Sequence, residues 1–245
     1  NEKTIKENNE AILRCTNLYS CEAQKIGQLV HFVNKKSINI DGFGEKQIKQ
    51  LYELKLIKKI DDIFLLYQQK KFIVNLEGWG ELSFKNLIDS IDKAKQINLD
   101  KFIFSLGIRY VGETISNLLA KEFVSINNLI KNSKNSKRLS SIDGIGPKAI
   151  KSILNFFSVK ENLKTILNLI NFLEIKNFKK PKSNSFFYNK NIVFTGSLKK
   201  LSREEAKYLA QEKGAKISSS ISKRTDFLII GEKPGSKVKK AKELN

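Results

Sequence analysis

Two glycines flanking one apolar residue recur along this chain, as Gly42-Phe43-Gly44, Gly78-Trp79-Gly80 and Gly144-Ile145-Gly146, with a variant copy at Tyr110-Val111-Gly112. Residues of these types at this spacing can bind anions through the backbone. Glycine admits backbone angles closed to other residues and removes the side chain that would hold a ligand away. The apolar residue between them can point inward and pin a tight turn. Amides at the start of a following helix are unpaired and backed by the helix dipole, which suits a phosphate oxygen. Lys46 and Lys148 follow the first and fourth copies closely enough to reach the same or the next phosphate. The candidate contact residues are therefore Gly42, Gly44, Lys46, Gly78, Gly80, Gly112, Gly144, Gly146 and Lys148.

A second candidate chemistry lies near the N-terminus, in Arg14-Cys15-Thr16-Asn17-Leu18-Tyr19-Ser20-Cys21. Two thiolates supply only half of the four ligands that tetrahedral zinc takes. From the residues alone, Cys15 and Cys21 are either half a metal site or two free thiols. His31, in Leu29-Val30-His31-Phe32-Val33, is expected to be a packed helix residue and not a ligand.

These residues need elements to position them. The second glycines stand at 44, 80, 112 and 146, at intervals of 36, 32 and 34, a period at which one supersecondary unit is used repeatedly. Each copy is preceded by an apolar, helix-compatible stretch and followed by helical periodicity, such as Ile48, Leu51, Leu54, or Leu87, Ile88, Ile91, or Ile150, Ile153, Leu154. The unit is helix, tight hairpin, helix. One such segment could equally be a helix corner turned by glycine with nothing bound. Four in register, in a chain with 45 Lys+Arg, 25 Asp+Glu and a formal charge of +20, favour a polyanion partner. Tyr110 replaces the first glycine of the third copy, which is expected to be mainly structural.

Nucleic acid is the first partner that the charge suggests and an anionic membrane surface the second, although abundant Lys, Asn and Ile could also reflect an AT-rich genome. Apolar runs such as Ile63 to Tyr67 and Phe227 to Ile230 fall far short of the roughly 20 residues that span a bilayer. Two cysteines and no signal peptide point to a reducing cytoplasm. The chain holds no methionine and begins at Asn1, so a fragment of a longer protein is expected.

After about residue 174 the pattern changes. Lys176 to Ser185 is polar and basic and reads as a linker. Asn191 to Thr195 then reads as a strand, Arg203 to Glu212 as a helix with Ser202 as N-cap and Glu205 closing a capping box, and Lys216 to Ile221 and Phe227 to Ile230 as two more strands. The order β-α-β-β-α suggests a small parallel α/β domain.

The glycine pattern resembles the helix-hairpin-helix family, whose paired units grip both strands of a duplex across the minor groove. The longer run Ala11-Ile12-Leu13-Arg14-Cys15 through Cys21-Glu22-Ala23-Gln24, with Ile40-Asp41-Gly42-Phe43-Gly44-Glu45-Lys46, Leu106-Gly107-Ile108-Arg109-Tyr110-Val111-Gly112-Glu113 and Ile142-Asp143-Gly144-Ile145-Gly146-Pro147, resembles bacterial NAD-dependent DNA ligases. It looks like the second half of their four-cysteine zinc finger running into their helix-hairpin-helix domain. The resemblance implies one structural zinc in the intact protein, with Cys15 and Cys21 as half its ligands. Phe194-Thr195-Gly196, Ser202-Arg203-Glu204-Glu205 and Gly235-Ser236-Lys237 resemble a BRCT domain, which implies a phosphate pocket at Thr195, Gly196, Arg203 and Lys237. For that pocket the bland alternative, that Thr195-Gly196 only shapes a strand end, stays open.

The expected fold is mainly α, a tandem helix-hairpin-helix domain followed by a small α/β BRCT-like domain and preceded by half a zinc finger. The expected division is 1–30 partial zinc finger, 31–175 helix-hairpin-helix, 176–187 linker and 188–245 truncated BRCT-like domain. The ligase reaction adenylates the lysine of a K-x-D-G motif; no such motif occurs in this chain, so no catalytic residue is expected here. NAD and magnesium are implied for the parent enzyme and are not expected to bind this chain. The implied function is duplex DNA binding without sequence specificity by the C-terminal part of a ligase that seals nicks in replication and repair. A monomer in the bacterial cytoplasm, associated with the nucleoid, is expected. A repair scaffold or a nuclease subunit using the same hairpins is the alternative.

Overall fold

The computed structural model describes residues 4–5, 14–15, 21–180 and 184–244. The chain divides into two compact units, Asn1–Phe178 and Lys179–Asn245.

In the first unit a short antiparallel pair, β1 (Thr4–Ile5) and β2 (Arg14–Cys15), precedes α1 (Glu22–Val33) and α2 (Glu45–Glu53). A 3-10 helix, Ile60–Gln69, runs into α3 (Lys70–Ile73) and is followed by α4 (Glu81–Ala94). Then come β3 (Gln96–Asn98), α5 (Leu99–Ser105), α6 (Glu113–Phe123), α7 (Ile126–Asn132), α8 (Ser136–Ser140), α9 (Pro147–Ser158), α10 (Lys160–Phe172) and β4 (Glu174–Lys176). Helices of this amphipathic kind hold together by burying one face, and here the faces meet in one contiguous apolar core running from Leu29 to Leu173. Phe32, Phe102, Phe123 and Phe157 are its largest fully buried side chains. Ile48 and Leu51 bury as the periodicity expects, whereas Leu54 lies past the end of α2 and is exposed. Asp61 is buried at the start of the 3-10 helix, where its carboxylate accepts from Lys59 Nζ at 2.7 Å and from Asn168 Nδ2 at 2.8 Å, tying that helix to α10.

The end of this unit differs from the sequence expectation of a linker beginning at residue 176. β4 pairs in parallel with β3, Ile175 opposite Ile97 and Lys176 opposite Asn98. The Phe178 amide then donates to the Val124 carbonyl at 2.8 Å, and its ring packs on the core. A polar, basic composition carried no sign of this pairing, because the bonds are made by the backbone.

The second unit contains β5 (Asn191–Thr195), α11 (Arg203–Glu212), β6 (Lys216–Ser218), β7 (Phe227–Ile230) and α12 (Lys237–Glu243). Its sheet is parallel throughout, in the order β6-β5-β7. This is the β-α-β-β-α order read from the sequence, with β6 ending three residues early, at Ser218. Ser202 Oγ accepts from the Glu205 amide and Glu205 accepts from the Ser202 amide, closing the capping box at the head of α11. Ile192, Phe194, Ala206, Ala210 and Ala215 form its small core. Asp226 anchors the start of β5 by accepting from the Asn191 amide at 2.7 Å, and that bond, with Lys190 nearby, holds its carboxyl below the ordinary carboxylate value. The stabilisation is therefore present above the ordinary value and is lost as pH falls through the lowered one.

Candidate functional site

All four glycine segments fold into the same turn. The amides of Phe43, Trp79, Val111 and Ile145 donate to the carbonyls of Ile40, Leu76, Ile108 and Ile142 at 3.4, 3.0, 2.9 and 3.3 Å. The residue before each donor is left-handed, with φ of 76° at Gly42, 80° at Gly78, 63° at Tyr110 and 89° at Gly144. That is the sign a type II turn requires at its third position. The third copy thus departs from the others in its side chain and not in its backbone, since Tyr110 takes up the angle that glycine supplies elsewhere. Phe43, Val111 and Ile145 are buried as expected, while Trp79 is half-buried.

The second glycine of each copy, Gly44, Gly80, Gly112 or Gly146, is the N-cap of α2, α4, α6 or α9. Their φ values, −87°, −174°, −86° and −79°, are open to any residue. A Cβ would meet nothing within 4 Å at Gly80, Gly112 or Gly146, and only the Gln47 side chain, at 3.4 Å, at Gly44. Nothing within the fold demands glycine here. Three other helices are closed at the start by a side chain, α7 by Ser125, α8 by Asn135 and α11 by Ser202, while α1, α3, α5, α10 and α12 are not. The four hairpin helices begin without a side-chain cap at the Gly position, which leaves first-turn amides facing outward with room for a close ligand.

Contacts between segments far apart in sequence connect the four tips. Gln50 on α2 reaches the second hairpin twice, with Oε1 accepting from Trp79 Nε1 at 2.8 Å and Nε2 donating to the Glu77 carbonyl at 3.1 Å. Lys36, in the first hairpin's loop, pairs at 2.7 Å with Glu113, the first residue of α6 behind the third hairpin. Lys148 Nζ lies 5.9 Å from the Tyr110 ring centroid, joining the fourth tip to the third through a cation–π contact, and Arg109 Cζ, within the third tip, lies 4.7 Å from the same ring. His31, half-buried in α1, bonds through Nε2 to the Phe104 carbonyl at 2.8 Å and sets its ring edge-on to Phe104, the packed role expected of it.

The tips differ in charge. Lys46 and Lys148 are exposed at the second position of α2 and α9, within the first turn. Glu45, Glu81 and Glu113 occupy the first position of α2, α4 and α6, where a carboxylate suits the helix dipole, and each is paired with a lysine: Lys49, Lys70 and Lys36. The Lys49 partner, hydrogen-bonded to the Glu45 carboxyl, holds it below its ordinary pKa. The fourth hairpin has Pro147 in that place and carries no acid there.

Similarity to known proteins fits this geometry. A family model described as a helix-hairpin-helix motif matches residues 101–166, which hold the third and fourth hairpins, and one described as the BRCA1 C Terminus (BRCT) domain matches residues 182–245. A DNA ligase of Wolbachia pipientis subsp. Culex pipiens is 48% identical over 235 residues, 95% of this chain and 36% of the relative. A DNA ligase of Rickettsia typhi is 42% identical over 257 residues, 100% of this chain and 37% of the relative. The chain is homologous to DNA ligases. It spans a little over a third of the length of these curated relatives, and within that stretch it carries both a helix-hairpin-helix region and a BRCT domain.

In the BRCT domain of this ligase homologue, Thr195, Gly196, Arg203 and Lys237 converge on the end of β5. Thr195 is buried and its Oγ1 accepts from the Gly235 amide at 3.3 Å. Arg203 donates to the Gly196 carbonyl at 2.8 Å, and Lys237 Nζ lies 3.5 Å from the Phe194 carbonyl. Gly196 has φ of 78°, and a Cβ there would stand 2.6 Å from the Glu232 carbonyl oxygen, so the fold itself requires glycine. These four residues are thus brought together, with their polar groups engaged by the protein. Cys21 is half-buried at the N-cap of α1; the side chain of Cys15 lies outside the described residues. Among the described residues no group of three His, Cys, Asp or Glu is placed to hold a metal ion.

Lys36, Gln50 and Lys70 belong to this site and were not singled out from sequence, and Tyr110 was noted only as a departure from the glycine pattern. The three lie outside the Gly-apolar-Gly pattern, so only proximity in the fold reveals them, as it does the Tyr110 contact with Lys148.

Proposed function

We propose that this chain is a duplex DNA clamp, the C-terminal part of an NAD-dependent DNA ligase that seals nicks in replication and repair. The observation that carries the reading is the linked set of four hairpin tips, each ending in a glycine N-cap that the fold itself does not need. Two lysines at those tips and a formal charge of +20 suit a phosphate backbone. Amides and lysines grip phosphates in register without reading bases, so binding is non-sequence-specific. Adenylation with NAD and magnesium is a proposal for the longer relatives and uses no residue of this chain. In the same reading Cys15 and Cys21 contribute two of four ligands to a structural zinc, and the Thr195, Gly196, Arg203 and Lys237 corner receives a strand-end phosphate. The protein acts as a monomer in the cytoplasm.

The test is binding of the chain to nicked and intact duplexes of equal length over a series of salt concentrations. Tight, sequence-independent binding that weakens steeply with salt is expected, with a log–log slope of about −0.9 per phosphate neutralised. Lys46→Gln with Lys148→Gln should reduce the magnitude of that slope by about 1.8, since two phosphate contacts are removed. Absence of binding at low salt would overturn the clamp.

A further inference from the structure

The second hairpin departs from the first and fourth at the second residue of its helix. Leu82 is the second residue of α4, in register with Lys46 of α2 and Lys148 of α9. It is 72% exposed, more than any other large apolar side chain described. Beside it runs a groove of about 550 Å³ whose lining includes Tyr67, Leu82 and Ile88, with Lys70 and Lys85 balanced by Glu81 and Asp89. Tyr67 is 56% exposed. The Gly80 amide donates to Ser83 Oγ at 2.9 Å. The adjoining acid, Glu81, is neutralised by Lys70 at 2.9 Å. This tip therefore offers an apolar side chain where the first and fourth tips offer a cation and the third offers Thr114. Through Gln50 it remains attached to the first tip, so whatever lies on the one lies close to the other.

We propose that the second hairpin meets the duplex through Leu82, in apolar contact with the deoxyribose edge of a groove, while the first and fourth hairpins hold phosphates through Lys46 and Lys148. This inference rests on the duplex-binding reading above. Sugar edges are the apolar part of a nucleic acid surface, and leucine is among the side chains that proteins press into the minor groove. Lys85, in the lining of the same groove, suits a phosphate beside that sugar. The contact releases no counterions, so its share of the affinity does not vary with salt.

Two substitutions in the full chain test it, both at an exposed position where thermal unfolding of the first unit should not shift. Leu82→Ala should weaken duplex binding about tenfold at every salt concentration, giving a line parallel to that of the unsubstituted chain in a log–log plot. Leu82→Lys should steepen the slope by about 0.9, because the new cation finds a phosphate. If the unsubstituted chain binds duplex and Leu82→Ala binds equally well, or if Leu82→Lys leaves the slope unchanged, position 82 does not face DNA and the inference is overturned. Failure of the unsubstituted chain to bind at low salt would instead overturn the duplex-binding reading on which it rests.

Discussion

Substituting Gly44 and Gly146 together by valine is expected to lower duplex affinity about 100-fold, for all sequences alike, while leaving the first unit folded. Both residues have extended backbone angles that valine adopts readily, and a Cβ meets only open space at 146 and an ordinary approach to the Gln47 side chain at 44. Valine is a poorer N-cap than glycine, which costs roughly 1 kcal/mol per helix, small against the burial of Ile48, Leu51, Ile153 and Phe157. The penalty falls on the ligand, because the branched side chain stands where a phosphate approaches the first-turn amides. A hydrogen bond to a charged group contributes about 1.5–3 kcal/mol, so removing one such bond at each tip weakens binding about tenfold per tip. Circular dichroism and thermal unfolding would establish folding, and titration with a fluorescent duplex would give the affinity. An unchanged affinity would remove the hairpin tips from the interface.

Gly196→Ala should have the opposite character, unfolding the second unit and sparing the first. Its φ of 78° is left-handed, which costs a residue with a side chain about 1–2 kcal/mol. The added Cβ would also lie 2.6 Å from the Glu232 carbonyl oxygen and 2.8 Å from the Gly231 carbonyl, both backbone atoms. Those atoms cannot withdraw freely. Gly231 donates to the Thr195 carbonyl, and Ser197 and Glu232 exchange amide-to-carbonyl bonds of 2.9 and 2.7 Å. A total of roughly 4 kcal/mol is severe for a unit whose core rests on five buried residues, three of them alanine. Limited proteolysis should then cut within residues 184–244 while residues 21–178 stay protected, and duplex binding by the hairpins should persist. Protection of both units at the level of the unsubstituted chain would refute it.

Much of this organisation was legible in the sequence because it is encoded over short distances. Helical periodicity placed the faces that bury Ile48, Leu87 and Ile153, the repeated glycines placed the hairpins, and Ser202 with Glu205 placed the start of α11. The parallel unit could be ordered from strand and helix signals alone, although β6 proved shorter than its apolar run. The end of the first unit was not legible. Glu174–Lys176 pairs with Gln96–Asn98 through main-chain bonds that carry no compositional trace. Nor could glycine's two uses be separated in advance: at Gly196 the fold needs it, and at Gly146 nothing in the fold does.

The sequence by itself determined the four hairpin units, their period, the basic charge and the α/β order of the second unit, since each depends on residues within a turn or two of one another. Tertiary structure alone decided which tips adjoin, because Gln50 meets Trp79 and Lys36 meets Glu113 only after intervening helices have packed on a shared core. It also decided that Tyr110 completes a turn where glycine was expected, held at a positive φ with Arg109 and Lys148 near its ring. Leu82 stands where Lys46 and Lys148 stand, yet its exposure follows from the absence of any described helix packed over it, which no local pattern records.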